Sequence, residues 1–260
     1  VLSATSPLLP PQGLFDRYAH LIAALPAHTP VARSDVLTDD FLLARDGALE
    51  LFYAPFDYIN RRARVALVGI APGWYQVELA HRTARDALRA GAPHEEASCL
   101  ARTTGSLSGP IRSNTVAMLD GVGLHRALGV ASSWELFGPR LDLLHITAAV
   151  RYPVFVRGAN WTGYGPDPLR HPLLRRFVTE SLADELAHMP EALVIPLGKS
   201  VSEAVQHLVS MGSLDAARCL LGMPHPSGAN AHRPAQFAAI REQAAARVST
   251  YYRGDSGPLG

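Results

Sequence analysis

The sequence predicts an α/β fold, a three-layer α/β/α sandwich around a central four-stranded, mostly parallel sheet. Three observations predict it. Four near-continuous apolar runs of strand length lie in the chain, which suits strands covered on both faces. Helical patterns separate the runs, and strands alternating with helices imply parallel pairing. The 260 residues are 48% hydrophobic and 18% charged, ordinary globular composition that supports one sizeable core.

Taken in order, residues 1–12 are rich in Pro, Ser and Leu without periodicity and read as an arm. Leu14, Tyr18, Leu21, Ile22 and Leu25 recur at helical spacing. Leu49 to Tyr58 alternates in part and reads as an extended segment packed on the domain. The four strand-like runs are Arg64–Ile70, Leu141–Val150, Ala192–Gly198 and Arg218–Met223. Pro196 lies inside the third and cannot donate to a ladder, so it marks an early strand end. Helical patterns cover Ser113 to Leu128, with Ser113 or Asn114 as N-cap, then Pro172 to Met189 and Ser200 to Met211. A last helix follows Pro234. The expected organisation is an N-terminal arm and helix over 1–60 packed on the core, one catalytic-type domain over 61–253, and a flexible tail over 254–260.

Composition excludes several classes. No repeat has a fixed period, and Gly, Pro or charge breaks every apolar run before it could span a bilayer. No basic region followed by an apolar stretch marks a signal peptide, so a cytoplasmic setting is expected. Cys99 and Cys219 are the only cysteines, too few for a disulfide scaffold, a Cys-rich zinc site or an all-Cys iron–sulfur cluster. No metal, no cofactor and a monomer are expected. Net charge is +1, a weak signal for nucleic acid, whose binding needs local positive charge. The local clusters are Arg61, Arg62 and Arg64; Arg170 with Arg175 and Arg176; and His232 with Arg233. The first two read as solvated faces, while the third adjoins the His225 motif taken up below.

Ligands of such sheets bind beyond the carboxyl ends of the strands. Three loops there are expected to line one rim: Gly69–Gln76, Thr147–Pro153 and Pro224–Arg233. Gly69-Ile70-Ala71-Pro72-Gly73 makes a tight turn where backbone can approach a flat ligand, or is an ordinary strand-to-helix turn. It lacks the spacing of a dinucleotide fingerprint or a P-loop. Lys199 and Ser200 read as a helix start able to hold one phosphate. His225 precedes Pro226 at a strand end, in restricted backbone, and its imidazole can donate to an oxyanion or move a proton. Ser227, Gly228 and Asn230 can bind phosphate through hydroxyl, backbone N–H and amide. The bland alternative is a histidine that only ends a strand.

These motifs together resemble the uracil-DNA glycosylase superfamily. Gly69-Ile-Ala-Pro-Gly73 is similar to its first motif, and His225-Pro-Ser227-Gly-Ala-Asn230 to its last, with the loop that wedges into DNA. Thr104-Gly-Ser-Leu-Ser-Gly109, then Asn114, Leu119, Gly123 and Leu124, resemble the segment that carries the pocket wall and the next helix, and Leu197-Gly-Lys199 resembles a third-strand motif. The match runs in order from Arg64 to the C-terminus. It departs from the family in three side chains. The water-orienting Asp of the best-known branch is Ala71, the base-reading Asn falls at Ala148, and the stacking Phe is replaced around Leu107 or Ser108. Val77 to Cys99 is longer than the usual connection.

The resemblance implies hydrolysis of the N-glycosidic bond of a deaminated base in DNA, uracil first, with flipping of the base out of the helix. His225 would stabilise the leaving pyrimidine anion, and Gln76 or Glu78 would hold water, with His81 a poorer choice. The base would lie on Gly69, Ile70, Ala71, Pro72, Gly73 and Ala148, with Trp74 or Tyr75 as the stacking face. DNA would be held by Lys199, Ser200, Ser227, Gly228, Asn230, His232 and Arg233. Ala229 is too small to fill a vacated stack, so Asn230, His232 or Arg233 must wedge, or single strands are preferred. Two other readings stay open: a catalytically silent nucleic-acid binder, and a hydrolase of free nucleosides or nucleotides.

Overall fold

The computed structural model describes residues 13–254; the expected arm at 1–12, and the tail beyond Gly254, lie outside the described residues. In chain order the elements are α1 Leu14–Ala24, α2 Arg33–Val36, β1 Leu42–Asp46, β2 Leu49–Phe52, β3 Val65–Gly69, α3 Trp74–Arg89, α4 His94–Gly105, α5 Pro110–Gly121, α6 Leu124–Ala127, β4 Leu144–Ala148, β5 Val154–Val156 and β6 Ala159–Asn160. They continue with α7 Pro172–Arg176, α8 Ala183–Ala187, β7 Leu193–Pro196, α9 Lys199–Ser210 and α10 Arg233–Gly254. The protein is mixed α/β, with a three-stranded parallel sheet in the order β4-β3-β7 and a separate antiparallel sheet in the order β1-β2-β5-β6.

The chain forms two compact units. One holds residues 13–59, Ile70–Ser106 and Ile146–Glu185; the other holds Asn60–Gly69, Leu107–His145 and residues 186–254. Both units are discontinuous in sequence, and residues 60–254 contribute to each. The tertiary core of the first unit draws on Leu14, Tyr18 and Ile22 of α1, Tyr53, and Val77, Ala80 and Ala84 of α3, all 0–5% exposed.

The parallel sheet has three strands where the sequence suggested four. Val65 to Val68 and Leu193 to Pro196 are fully buried or nearly so, as strands covered on both faces require. They pair in register from Val65 with Leu193 to Val68 with Pro196, and the Leu197 N–H extends the ladder to the Val68 carbonyl at 2.9 Å. The fourth run lies along the other side of β7. Leu220 N–H donates to the Val194 carbonyl, Gly198 N–H to that of Met223, and Val194 bridges Cys219. Between those two bonds stands Pro196, which has no N–H to give. Gly222, at φ 88°, also shifts the register by one residue. Proline and a left-handed glycine together reduce a strand to a single bridge.

The antiparallel sheet was foreseen only in β2. Its two tight connections carry legible turn chemistry. Gly47 has φ 58° in the β1–β2 turn, and Arg157 (φ 51°) with Gly158 (φ 74°) supplies the two left-handed residues of a type I′ hairpin between β5 and β6. The helix expected over Ser113–Leu128 starts earlier, with Pro110 in its first turn, and is broken at Gly123 (φ 76°) into α5 and α6. Neither Ser113 nor Asn114 is the N-cap; Gly109 is. The helix expected from Pro172 runs as α7, a π-helical turn over Phe177–Leu182, and α8. The long Val77–Cys99 connection is the helical pair α3 and α4. Among the described residues no helix is long and apolar enough to cross a membrane.

Candidate functional site

The parallel sheet changes direction of build-up between β3 and β7, the position at which open α/β sheets gather their ligands. In the second unit, His225 lies beyond this edge. The Met223 carbonyl accepts from Gly198 N–H, so the segment leading to His225 is tied to the end of β7. Gly198 has φ 105°, and a Cβ there would sit 3.2 Å from the His225 Cβ. Only glycine permits this close approach of strand end to histidine.

The His225 loop is bound up from within. Ser227 N–H donates to His225 Nδ1 at 3.2 Å. An Nδ1 that accepts carries no proton, so the neutral ring holds its proton on Nε2. Desolvation on the protein-facing side pushes the imidazole pKa down, while the residue stays exposed at the rim. The result is a neutral histidine presenting an Nε2–H donor. Asn114 Nδ2 donates to the Pro226 carbonyl at 2.8 Å, a contact that reaches from α5. Arg233 Nη1 donates to the Ser227 carbonyl at 2.8 Å, and Asn230 Nδ2 to the His225 carbonyl at 3.2 Å and to Gln236 at 3.0 Å. Ser227 Oγ accepts from Ala229 N–H. Three of the expected phosphate ligands, Ser227, Asn230 and Arg233, therefore shape the loop. Lys199, Gly228 and His232 are exposed, and Lys199 stands 3.9 Å from Glu203; Ser200 is buried at the start of α9.

In the first unit, Ile70 to Tyr75 forms the turn into α3. Val150 N–H donates to the Ile70 carbonyl at 3.0 Å, which ties the turn to the chain beyond β4. Gln76 Oε1 accepts from Gly73 N–H at 3.0 Å and caps the helix. Glu78 is 4% exposed and accepts from Val31 N–H and from Arg82 Nε at 2.8 Å. The two expected water-holding residues thus have structural partners. His81 is fully buried, donates from Nδ1 to the Val77 carbonyl, and is held down to about pKa 4 by desolvation. Trp74 is half-buried, with the Arg33 guanidinium 5.3 Å from its ring; Tyr75 is 62% exposed and is the open aromatic face of the turn. Ala148 is buried at the end of β4. Ala71, Pro72 and Gly73 are partly exposed.

Two features escaped the sequence reading. Asn160, on β6, accepts through Oδ1 from Trp74 N–H at 3.1 Å, which brings an amide side chain from the antiparallel sheet to the turn. Its only signal was the Arg157-Gly158 hairpin. The other feature is a buried polar network. Glu185 Oε1 accepts from Arg102 at 2.7 Å, and Oε2 accepts from Arg151 at 2.6 Å and Thr147 at 2.9 Å. Arg102 also donates to the Ile146 and Phe56 carbonyls. Tyr53 and Tyr152 donate to the two oxygens of Asp57. Burial pushes the Asp57 carboxyl up to about 6, against the two tyrosine hydrogen bonds and the cations of Arg151 and Arg102. Apart from Tyr53 and Asp57, four residues apart, the bonded pairs lie 34 to 95 residues apart in sequence, so no local pattern announces them. Among the described residues no group of three or more His, Cys, Asp or Glu side chains is placed to hold a metal ion.

No known protein-family model matches the chain. It is similar to the uncharacterized protein YoxB of Bacillus subtilis (strain 168), with 36% identity over 236 residues that cover 90% of this chain and 91% of YoxB. Identity of that level over nearly the whole of both chains means that the chain belongs to the YoxB family.

Proposed function

We propose that the protein is a DNA glycosylase that hydrolyses the N-glycosidic bond of a deaminated base, uracil first among them. The observation that carries this reading is the His225 loop: an exposed, neutral imidazole whose Nδ1 accepts from Ser227 N–H, which leaves Nε2–H as the donor. Bond cleavage leaves negative charge on the pyrimidine and oxocarbenium character on the sugar. One aimed donor at the developing anion accounts for about 10²–10³-fold in rate. With alanine at position 71, and with Gln76 and Glu78 engaged elsewhere, the leaving-group side has to supply most of the barrier reduction. Within the first unit, the Ile70–Gly73 backbone and the exposed Tyr75 ring offer a flat base a stacking face. Lys199, Gly228 and His232 meet phosphates, on a loop kept in shape by Ser227, Asn230 and Arg233. The protein acts as a monomer without a metal. In this reading the parallel sheet is the centre of a three-layer α/β/α sandwich, with the 218–223 run in the fourth position.

The test is single-turnover cleavage of a uracil-containing oligonucleotide, developed with alkali, for wild type and His225→Ala. The expected result is cleavage by wild type and a loss of at least about 10²-fold in the variant, with binding largely kept because phosphate contacts dominate affinity. A variant as fast as wild type would refute the role of His225. The partners of Gln76 and Glu78 favour a second reading, a silent nucleic-acid binder; wild type that binds the oligonucleotide and never releases the base would establish it.

A further inference from the structure

Asn114 is joined to His225 through a single peptide group. It lies within α5, half-buried, and its Nδ2 donates to the Pro226 carbonyl at 2.8 Å across 112 residues of sequence. A carbonyl only accepts, so the side-chain amide has to turn its NH₂ that way. The same peptide group carries the Ser227 N–H, which donates to His225 Nδ1 at 3.2 Å. In a trans peptide the C=O and the N–H point in opposite directions. A carbonyl turned toward α5 therefore turns the N–H toward the imidazole. The proline ring locks its own φ, so rotation of this peptide is left to Pro226 ψ and Ser227 φ. Asn114 is the closer of two side chains that oppose the rotation. Arg233 Nη1 reaches the Pro226 oxygen only at 3.5 Å and bonds the next carbonyl, that of Ser227, at 2.8 Å. On the other side, the His225 Cβ lies 3.2 Å from where a Cβ on Gly198 would stand, so the base of the ring has little room to shift.

We propose that Asn114 is a positioning residue that acts through the Pro226–Ser227 peptide to keep the His225 proton on Nε2. Its bearing on base release rests on the glycosylase reading of His225; its bearing on the imidazole does not. A neutral histidine divides its proton between two nitrogens unless a hydrogen bond fixes one of them. Ser227 N–H fixes Nδ1 only while the peptide keeps its orientation. Released from Asn114, the peptide can swing its N–H away, and Nδ1 becomes free to take the proton. Nε2 would then be a bare acceptor, which opposes a departing anion instead of stabilising it. Asn114 also strengthens the bond it aligns, because donation to the carbonyl polarises the whole amide. The imidazolium has a proton on both nitrogens and is opposed by Ser227 N–H. The relay therefore favours the neutral ring, in the same direction as the burial that already lowers the His225 pKa.

The test is nitrogen NMR of the His225 ring against pH, without substrate, in wild type, Asn114→Ala and Asn230→Ala. Single-turnover release from a uracil-containing oligonucleotide follows. Alanine suits a helix interior, so Asn114→Ala is expected to fold. Asn230 is a second neutral anchor of the loop. Its Nδ2 donates to the His225 carbonyl at 3.2 Å, and its side chain makes no bond to the Pro226–Ser227 peptide among the described residues. Asn230→Ala therefore shows what loosening alone does. The charged and titratable groups on the surrounding elements are the same in all three proteins. Arg233 of α10 bonds the Ser227 carbonyl, Lys199 of α9 stands 3.9 Å from Glu203, His232 is exposed, and on α5 Asp120 accepts from Ser132 while Arg112 lies over Phe137. Asn114→Ala is expected to lower the ratio of Nε2–H to Nδ1–H forms by about fivefold, the worth of one hydrogen bond. Its ring should titrate at higher pH, and release should slow by a similar factor while oligonucleotide binding holds. Asn230→Ala is expected to keep the wild-type ratio. Asn114→Asp keeps the shape but, ionised, sets an acceptor against the Pro226 carbonyl; it should shift the ratio the same way and serves if the alanine variant does not fold. A wild-type ratio and titration in Asn114→Ala overturn the proposal, and so does an equal shift in Asn230→Ala. Wild type that releases no base, while the ring responds as expected, overturns the glycosylase reading and upholds the role of Asn114.

Discussion

Asp57 gives the protein a stability that should fall as pH rises from about 4 to about 6. Its carboxyl is 8% exposed and ionises near 6 in the folded protein against 3.8 for the free side chain. Desolvation is the leading cause, opposed by the hydrogen bonds from Tyr152 and Tyr53 and by the cations of Arg151 and Arg102. The folded state therefore holds this proton more tightly than the unfolded chain does. Between the two values the folded state binds more protons, so unfolding free energy drops with rising pH. The stabilisation is complete below the unfolded value and gone above the folded one. Each pH unit of displacement corresponds to about 1.4 kcal/mol, so the full effect is about 3 kcal/mol. Asn at this position cannot ionise, yet still offers an oxygen to one tyrosine and an NH₂ to the other. Urea unfolding of wild type and Asp57→Asn from pH 4 to pH 7.5 isolates the group, because other titrations cancel in the difference. The variant should gain on wild type by up to about 3 kcal/mol across the window and track it above. A difference that stays flat from pH 4 to 7 would show that the buried carboxyl ionises normally and that the desolvation argument is wrong.

Other substitutions test other parts of the structure. Glu185→Ala leaves Arg102 and Arg151 buried without their shared carboxylate and should cost about 3–5 kcal/mol in urea unfolding; a loss under 1 kcal/mol would mean that water replaces the ion pair. Gly198→Ala puts a Cβ 3.2 Å from that of His225 at a φ of 105°, so it should cost about 1–3 kcal/mol and slow base release; unchanged release would separate Gly198 from His225. Tyr75→Ala removes a 62% exposed ring and should leave the melting temperature alone while weakening oligonucleotide binding by about 1–3 kcal/mol; a melting shift without a binding loss would make Tyr75 structural.

Much of the fold was legible. The runs at β3, β4 and β7 declared themselves as strands because both faces of a covered strand must be apolar. α1, α9 and α10 declared themselves by helical spacing or by Pro at their start. The hairpins β1–β2 and β5–β6 were missed because strands of two to five residues carry too few alternations to outweigh noise, although Gly47 and Arg157-Gly158 mark their turns. α3 and α4 were passed over as a connection because their buried faces are built from Ala, Arg and His, which periodic reading discounts.

The site divides in the same way. His225 and the Ile70–Gly73 turn stand out in the sequence because glycine, proline and histidine at a strand end leave a short, local signature, whereas the approach of Gly198 to His225 appears only in the structure. Sequence alone determined the first two, along with the alternation that gives a parallel sheet, since backbone freedom and apolar period are properties of neighbouring residues. Only the tertiary structure decided which residues hold partners at a distance: Asn114 on Pro226, Asn160 on Trp74, and Glu185 between two arginines. It also decided that Pro196 would cost the sheet a strand, because a missing N–H matters only when a neighbour stands opposite to receive it. Long-range pairing depends on which surfaces meet in space, and no spacing within a segment encodes that.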